Sequence, residues 1–311
     1  MCKTNTFFQL IGELRKKATS ADIFIIFDTK GDFYREFNRK GDVVISNDDK
    51  ATGGDGPNYW NIFEEIAVDE NKEEAILEIT KTLFFDKIRN SQQPFFPMAA
   101  KDIFAGILTH FVRNFSKLTP NNLELGQFCD TSTTGDIRGA LAMYPDLKSI
   151  GSYIAEDKSP QTQGVISEMQ QLVREIFIGN FRKKGNISVR NLVRRKGGKT
   201  IFIEYDLGVG NLLMPIYRLL YDLAIKEALC RKKSDGNVYF IADEFRLIPN
   251  LQHIDDGVNF GRSLGAKFIV GVQNIEQINS AYGEALSKSI LSWFSTTIAF
   301  RVNDAATRDY I

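Results

Sequence analysis

Asn237-Val238-Tyr239-Phe240-Ile241-Ala242-Asp243-Glu244-Phe245 is the stretch whose reading decides the fold. Its five consecutive apolar residues, Val238 to Ala242, suit a strand buried on both faces of a parallel sheet, and the run stops at two carboxylates, Asp243 and Glu244. Acids placed there sit where open α/β sheets bind ligands, beyond the carboxyl ends of the strands. On one reading Asp243 holds Mg²⁺ through water, and Glu244 orients and deprotonates an attacking water, as nucleoside triphosphate hydrolysis requires. A strand ending in a solvated Asp-Glu turn fits the same residues.

On either side of this stretch, strand and helix alternate. Upstream, Ile201 to Tyr205 reads as a strand ending at Asp206, followed by a helix from about Leu212 to Cys230. Downstream come a helix around Ile254 to Leu264 carrying Arg262, a strand from Phe268 to Val272 ending at Gln273, a helix around Ile275 to Phe294 and a last strand, Thr297 to Arg301. Near the start, Ile23 to Phe27 is a continuous apolar strand ending at Asp28, and Val43 to Ile45 a short one. Right-handed crossovers would build these into a parallel sheet covered by helices. Polar groups then gather at one edge: Asp28, Asp206, Asp243-Glu244 and Gln273. Such convergence is harder to obtain by accident than any one of them.

The first helix carries Phe7, Leu10, Ile11 and Leu14 on one face and begins at Lys3-Thr4. Followed by a buried strand, it reads as the second half of a βαβ unit. Lys-Thr at a helix start is also how a phosphate-binding Gly-x-x-x-x-Gly-Lys-Ser/Thr loop ends; there the Lys reaches the β and γ phosphates and the Thr hydroxyl ligates Mg²⁺. Here Cys2 stands where the glycine before Lys belongs. A charged terminus capping a helix is the simpler account of Lys3-Thr4 alone, and Asp243-Glu244 is what gives the phosphate role weight. Asp28 could line the same site or close a turn at Gly31.

A polar, glycine-rich loop from Asn47 to Asn58 marks a domain boundary. Residues 59–180 then read as an all-α insertion between strands of one sheet, with helical periodicities at Ile76, Ile79, Leu83, at Ile103, Ile107, Leu108, Phe111, at Ile137, Leu141 and at Ile166, Met169, Leu172, Val173, Ile176. Its aromatic residues suit a core, and His110 a packed or surface position. Eight basic residues follow between Arg182 and Lys199, with Ser188 placed to cap a short helix. A solvated helix face explains such a run better than a phosphate-backbone surface does. Residues 1–58 and 181–311 together make the discontinuous nucleotide-binding domain on this reading.

Composition adds bounds. With 39 basic and 39 acidic residues among 311 the net charge is zero, so a polyanion must be met by a local patch. Three separated cysteines, Cys2, Cys129 and Cys230, fit a reducing compartment without a disulfide framework or thiolate zinc site, and two histidines argue against a multi-histidine metal centre. No uninterrupted apolar run reaches the roughly 18 residues a bilayer span needs.

In the order Ile26-Phe27-Asp28-Thr29-Lys30-Gly31-Asp32, Tyr239-Phe240-Ile241-Ala242-Asp243-Glu244-Phe245, Gly261-Arg262-Ser263-Leu264-Gly265 and Val270-Gly271-Val272-Gln273, with a helical insertion between, the chain resembles the type IV secretion coupling proteins of bacterial conjugation, within the FtsK/HerA class of ring-shaped DNA-pumping ATPases. The resemblance implies a RecA-like P-loop NTPase fold and ATP with Mg²⁺ as cofactors. It implies that Lys3 and Thr4 end the phosphate loop, that Asp243 and Glu244 are the Mg²⁺ and water-activating pair, that Gln273 senses the γ-phosphate or positions water, and that Arg262 is a finger supplied to a neighbouring subunit. DNA, expected single-stranded, a relaxase and secretion components are the implied partners of a homo-hexamer anchored at the cytoplasmic face of the inner membrane. Two departures, the missing glycine arch and the missing membrane-spanning start, lead to the expectation that this chain is a soluble piece of a larger motor and binds ATP poorly by itself. A double-stranded DNA translocase and a non-catalytic DNA-binding or assembly module are the alternatives.

Overall fold

The computed structural model describes residues 2–48, 59–114, 120–230, 236–302 and 304–311. Most of the glycine-rich loop expected at Asn47 to Asn58 therefore lies outside the described residues. The chain divides into two compact units, Met1–Gly56 with Val189–Ile311, and Pro57–Ser188.

The first unit opens with helix α1 (Cys2–Lys17), strand β1 (Ile23–Asp28), helix α2 (Asp32–Phe37) and strand β2 (Val43–Ile45). The second unit follows with α3 (Ile62–Ala67), α4 (Lys72–Leu83), α5 (Phe85–Asn90), α6 (Phe95–Arg113), α7 (Asn122–Thr131), α8 (Thr134–Ala142) and α9 (Pro160–Ile176). The chain then returns to the first unit with α10 (Val189–Arg195), β3 (Lys199–Glu204), α11 (Gly210–Leu229), β4 (Val238–Ala242), α12 (Ile254–Leu264), β5 (Ala266–Val270), α13 (Ile275–Tyr282), α14 (Glu284–Ser292) and α15 (Ala305–Tyr310).

The five strands form one wholly parallel sheet in the order β2-β3-β1-β4-β5. β1 is central and all six of its residues are buried, as a strand covered on both faces must be. One face packs Phe24, Ile26, Phe202 and Ile241 against Phe7 and Ile11 of α1 and Phe33 of α2. On the other, Phe27 meets Tyr217 of α11 edge-on and Phe240 meets Tyr221 likewise. Each such ring, fully buried, contributes about 1.5–3 kcal/mol. Register is pinned where the strands begin. The Asp22 carboxylate accepts the main-chain and side-chain N–H of Asn237 at 2.9 and 3.0 Å and the amide and hydroxyl of Thr19 at 2.8 and 2.9 Å. With Ile23 level with Val238, Phe27 comes level with Ala242, so Asp28 and Asp243 leave the sheet at the same edge.

Three expectations meet a different outcome. Residues 296–302 form no strand: β5 has no neighbour on its outer side among the described residues, and an extended segment without a partner ladder has no hydrogen bonds to hold it. The long helix after Gln273 is two helices, broken at Gly283, whose φ of 80° no helix permits. The basic run is not one solvated face. Arg190 and Arg194, four apart on α10, clamp the buried Glu227 of α11 at 3.1 and 2.6 Å, while Arg182 of the second unit pairs with Asp130 at 2.7 Å.

The second unit is all-helical and closed by side-chain caps: Asn61, Asn71, Asn121 and Ser159 accept amides at helix starts, and Thr133 with Asp136 makes a capping box. Residues 181–188 pack with it, through Asn122 Nδ2 donating to the Phe181 carbonyl and the amides of Asn186 and Ile187 donating to the Tyr59 carbonyl. The Ser188 hydroxyl donates to Glu65 at 2.7 Å. α6 is long and apolar enough to cross a bilayer by length and composition, yet Ile103, Phe104, Ile107 and Leu108 are fully buried in this unit's core. His110 packs edge-on to Phe111 and stacks with Phe128, and burial lowers its pKa.

Candidate active site

Two distant parts of the chain meet at the carboxyl edge of the sheet. Lys3 and Thr4 lie in the first turn of α1, and Asp243 and Glu244 follow β4 directly. Lys3 Nζ donates to the Asp243 carbonyl at 2.8 Å and to Glu244 Oε1 at 3.0 Å, and stands 3.3 Å from Asp243 Oδ1. The Thr4 hydroxyl donates to Asp243 Oδ2 at 3.3 Å. The Lys3, Asp243 and Glu244 side chains are 25%, 13% and 18% exposed, so these charges are held close to one another and largely away from water. α1 has no acidic residue in its first turn, so Asp243, held by Lys3 and Thr4, brings negative charge to the positive end of its dipole.

From the other side, Gln273, three residues past β5, directs Nε2 at both Glu244 oxygens, at 3.3 and 3.4 Å. Gly271 makes this approach feasible. Its amide donates to the Ala242 carbonyl at 2.7 Å, and a Cβ there would lie 2.4 Å from the Asp243 carbonyl oxygen. In the sequence, a glycine at a strand end where another backbone passes is the one signal of this role for Gly271. Two further residues reach the site without a sequence motif to mark them: Arg246, whose Nε lies 3.7 Å from Glu244 Oε2, and Gln277, which donates to Gln273 Oε1 at 3.3 Å.

Asp28 leaves β1 at the same edge but turns its carboxylate back onto the chain, accepting the amides of Lys30 at 3.2 Å and Tyr34 at 2.8 Å. Burial pushes its pKa up from the ordinary value, against the pull of these amides. Its present geometry is that of a turn and helix cap, with Gly31 at φ 67° completing the turn. Asp206 similarly accepts the amides of Gly208 and Val209. Arg262 is exposed in the last turn of α12, and no hydrogen bond or ion pair among the described residues joins it to the Lys3–Glu244 cluster.

The donor set suits a divalent cation with a phosphate chain. A Thr hydroxyl and a carboxylate are the hard oxygen ligands Mg²⁺ prefers, and an ammonium at a helix N-terminus suits an anion. Asp243 Oδ1 is buried and receives no hydrogen bond; the Lys3 ammonium is the charge that faces it. Lys3 thus serves as internal counter-ion to both acids.

Comparison with curated proteins finds no match. Among solved structures, the bacterial conjugative coupling protein TrwBdeltaN70 in its unbound monoclinic form superposes with a TM-score of 0.69 at 18% identity, over 88% of this chain and 60% of that one. The plasmid coupling protein TrwB with the ATP analogue ADPNP, and the same protein with ADP and Mg²⁺, give the same TM-score and identity over 62% of their chains. This chain therefore spans about three fifths of the length of the structures it resembles, and the likeness establishes a shared α/β fold, a parallel sheet flanked by helices. The sequence model of the type IV secretion-system coupling protein DNA-binding domain matches residues 1–311 from end to end, and the chain belongs to that family.

Proposed function

We propose that this chain is the ATP-hydrolysing module of a conjugative coupling protein, one that drives single-stranded DNA with its attached relaxase toward a type IV secretion channel. The observation that carries the reading is the meeting of Lys3 with Asp243 and Glu244 within 3.3 Å across 240 residues of chain. In this reading Thr4 and Asp243 would hold Mg²⁺, Lys3 would leave the two acids for the β and γ phosphates, Glu244 would take the proton of the attacking water, and Gln273 would orient it. Bound Mg²⁺ would neutralise charge on the phosphate oxygens. Arg262, exposed and apart from this cluster, is free to serve a neighbouring subunit, which is why assembly as a ring, taken as a hexamer, belongs to the proposal. Met1–Gly56 with Val189–Ile311 form the motor and Pro57–Ser188 the insertion that meets DNA or relaxase. A place at the cytoplasmic face of the inner membrane, which the family resemblance implies, belongs to the same proposal.

ATP hydrolysis by the intact protein, measured without DNA, with single-stranded DNA and with duplex, tests the reading. Stimulation by single strands above duplex is the expected result. Stimulation by duplex alone would make the protein a double-stranded DNA translocase, and DNA binding without any hydrolysis would make it a non-catalytic module.

A further inference from the structure

The side-chain amide of Gln273 has two ends that behave oppositely, and chemistry settles which end faces Glu244. A carboxylate accepts hydrogen bonds and donates none, so the end turned to Glu244 is the NH₂, with Nε2 at 3.3 and 3.4 Å from the two oxygens. The carbonyl end, Oε1, is left facing α13. There Gln277, in the first turn of α13, donates Nε2 to it at 3.3 Å. Gln277 is itself well placed, because Asn274 caps α13 by accepting the Gln277 amide at 2.9 Å. Its own Oε1 is buried without a donor. Reversing Gln277 would bury an NH₂ there and set two carbonyl oxygens against each other, so its orientation is fixed as well.

We propose that Gln277 is a positioning residue for Glu244: by occupying the carbonyl of Gln273, it keeps a donor rather than a carbonyl oxygen turned toward the carboxylate that acts as base. The proposal rests on the reading of Glu244 given above. Without Gln277 the Gln273 amide can rotate, and in one of its two orientations a carbonyl oxygen repels the carboxylate and moves it off the water whose proton it takes. Nucleotide contacts through Lys3 and Thr4 are untouched by this change.

Three variants of the intact protein separate the effects: Gln277→Glu, of the same shape but unable to donate; Gln277→Met, without either function; and Gln277→Arg, which restores a donor. Steady-state Mg-ATP hydrolysis is measured beside the side-chain amide resonances of Gln273 in nucleotide-free protein, identified by their loss in Gln273→Glu. For the Glu and Met variants, kcat is expected to fall about tenfold with KM for Mg-ATP within about twofold, as a slightly misplaced catalytic group requires, and the Gln273 resonances to shift. Gln277→Arg is expected to recover most of kcat. Unchanged kcat and unshifted resonances in Gln277→Glu, or in Gln277→Met should the Glu variant melt early, overturn the proposal. Glu244→Gln in the same assay keeps two failures distinct. Turnover surviving in it removes the reading of Glu244 as base, whereas its loss beside full turnover in Gln277→Glu removes only the role of Gln277.

Discussion

Lys3 Nζ lies 3.0 Å from Glu244 Oε1, although 241 positions separate the two residues in sequence. The pair is partly exposed, so its net worth to stability is small, about 0–1 kcal/mol. Under the proposed function its importance lies in an exchange of partners: the same ammonium cannot neutralise Glu244 and a phosphate chain at once. Lys3→Met should therefore weaken Mg-ATP binding to the intact protein by tenfold or more, on the order of 1.4 kcal/mol, while shifting the thermal midpoint of nucleotide-free protein by no more than a few degrees. Calorimetric titration and a melt in the absence of nucleotide check the two halves.

Gly271 links β5 to the acid motif by close approach. Because a Cβ would come within 2.4 Å of the Asp243 carbonyl and 3.0 Å of Asp243 Oδ1, Gly271→Ala must displace the residue that pairs with Thr4 and Lys3. Overpacking of this kind costs about 1–3 kcal/mol, and hydrolysis should fall by at least tenfold under conditions where the variant is still folded. Equilibrium unfolding beside turnover measures both.

Glu227 is the buried partner of Arg190 and Arg194, with side chains 4% exposed on Glu227 and 3% on Arg190. Removing its carboxylate takes a charge partner from the 3%-exposed Arg190, so Glu227→Ala should cost about 3–5 kcal/mol in urea unfolding. Glu227→Met combined with Arg190→Met should cost clearly less than Glu227→Ala, because the buried guanidinium is removed with its carboxylate.

Asp22 gives a pH dependence with a definite sign. Burial alone would raise its pKa, but hydrogen bonds from Thr19 and Asn237 outweigh it and lower the carboxyl from its ordinary 3.8. A lowered acid contributes stability that is fully present above its unfolded value and lost as pH falls through the folded one. Asp22→Asn should therefore destabilise by about 1–3 kcal/mol near neutral pH, and the difference from wild type should shrink as pH falls below 3.8. Urea unfolding over a pH series reads it directly.

Where one local signal dominates, sequence and structure agree. Val238 to Ala242 is a strand with the expected ends because five apolar residues stop at two charges, and Ile254 to Leu264 is a helix ending at Gly265, whose φ of 89° suits the cap. Where a partner decides, the sequence is silent. Thr297 to Arg301 alternates like a strand but finds no ladder, and β5 starts at Ala266, two residues before the apolar run, because Val238 and Tyr239 of β4 pair with Ala266 and Lys267. The basic run looked solvated because Glu227, which buries two of its arginines, lies more than thirty residues away. At the site, Asp243 and Glu244 were legible from the strand end, and Lys3 and Thr4 only through a motif. Gln277 carried one visible signal, its spacing of four from Gln273, which acquires meaning only once Glu244 is seen beside Gln273.

The most direct measurement compares wild type and Glu244→Gln in the intact protein for Mg-ATP binding and hydrolysis together. If Glu244 is the base beside a site held by Lys3, Thr4 and Asp243, the variant binds Mg-ATP at least as tightly as wild type and turns it over at least a hundredfold more slowly, as loss of a general base requires. Turnover at the wild-type rate in Glu244→Gln would contradict it.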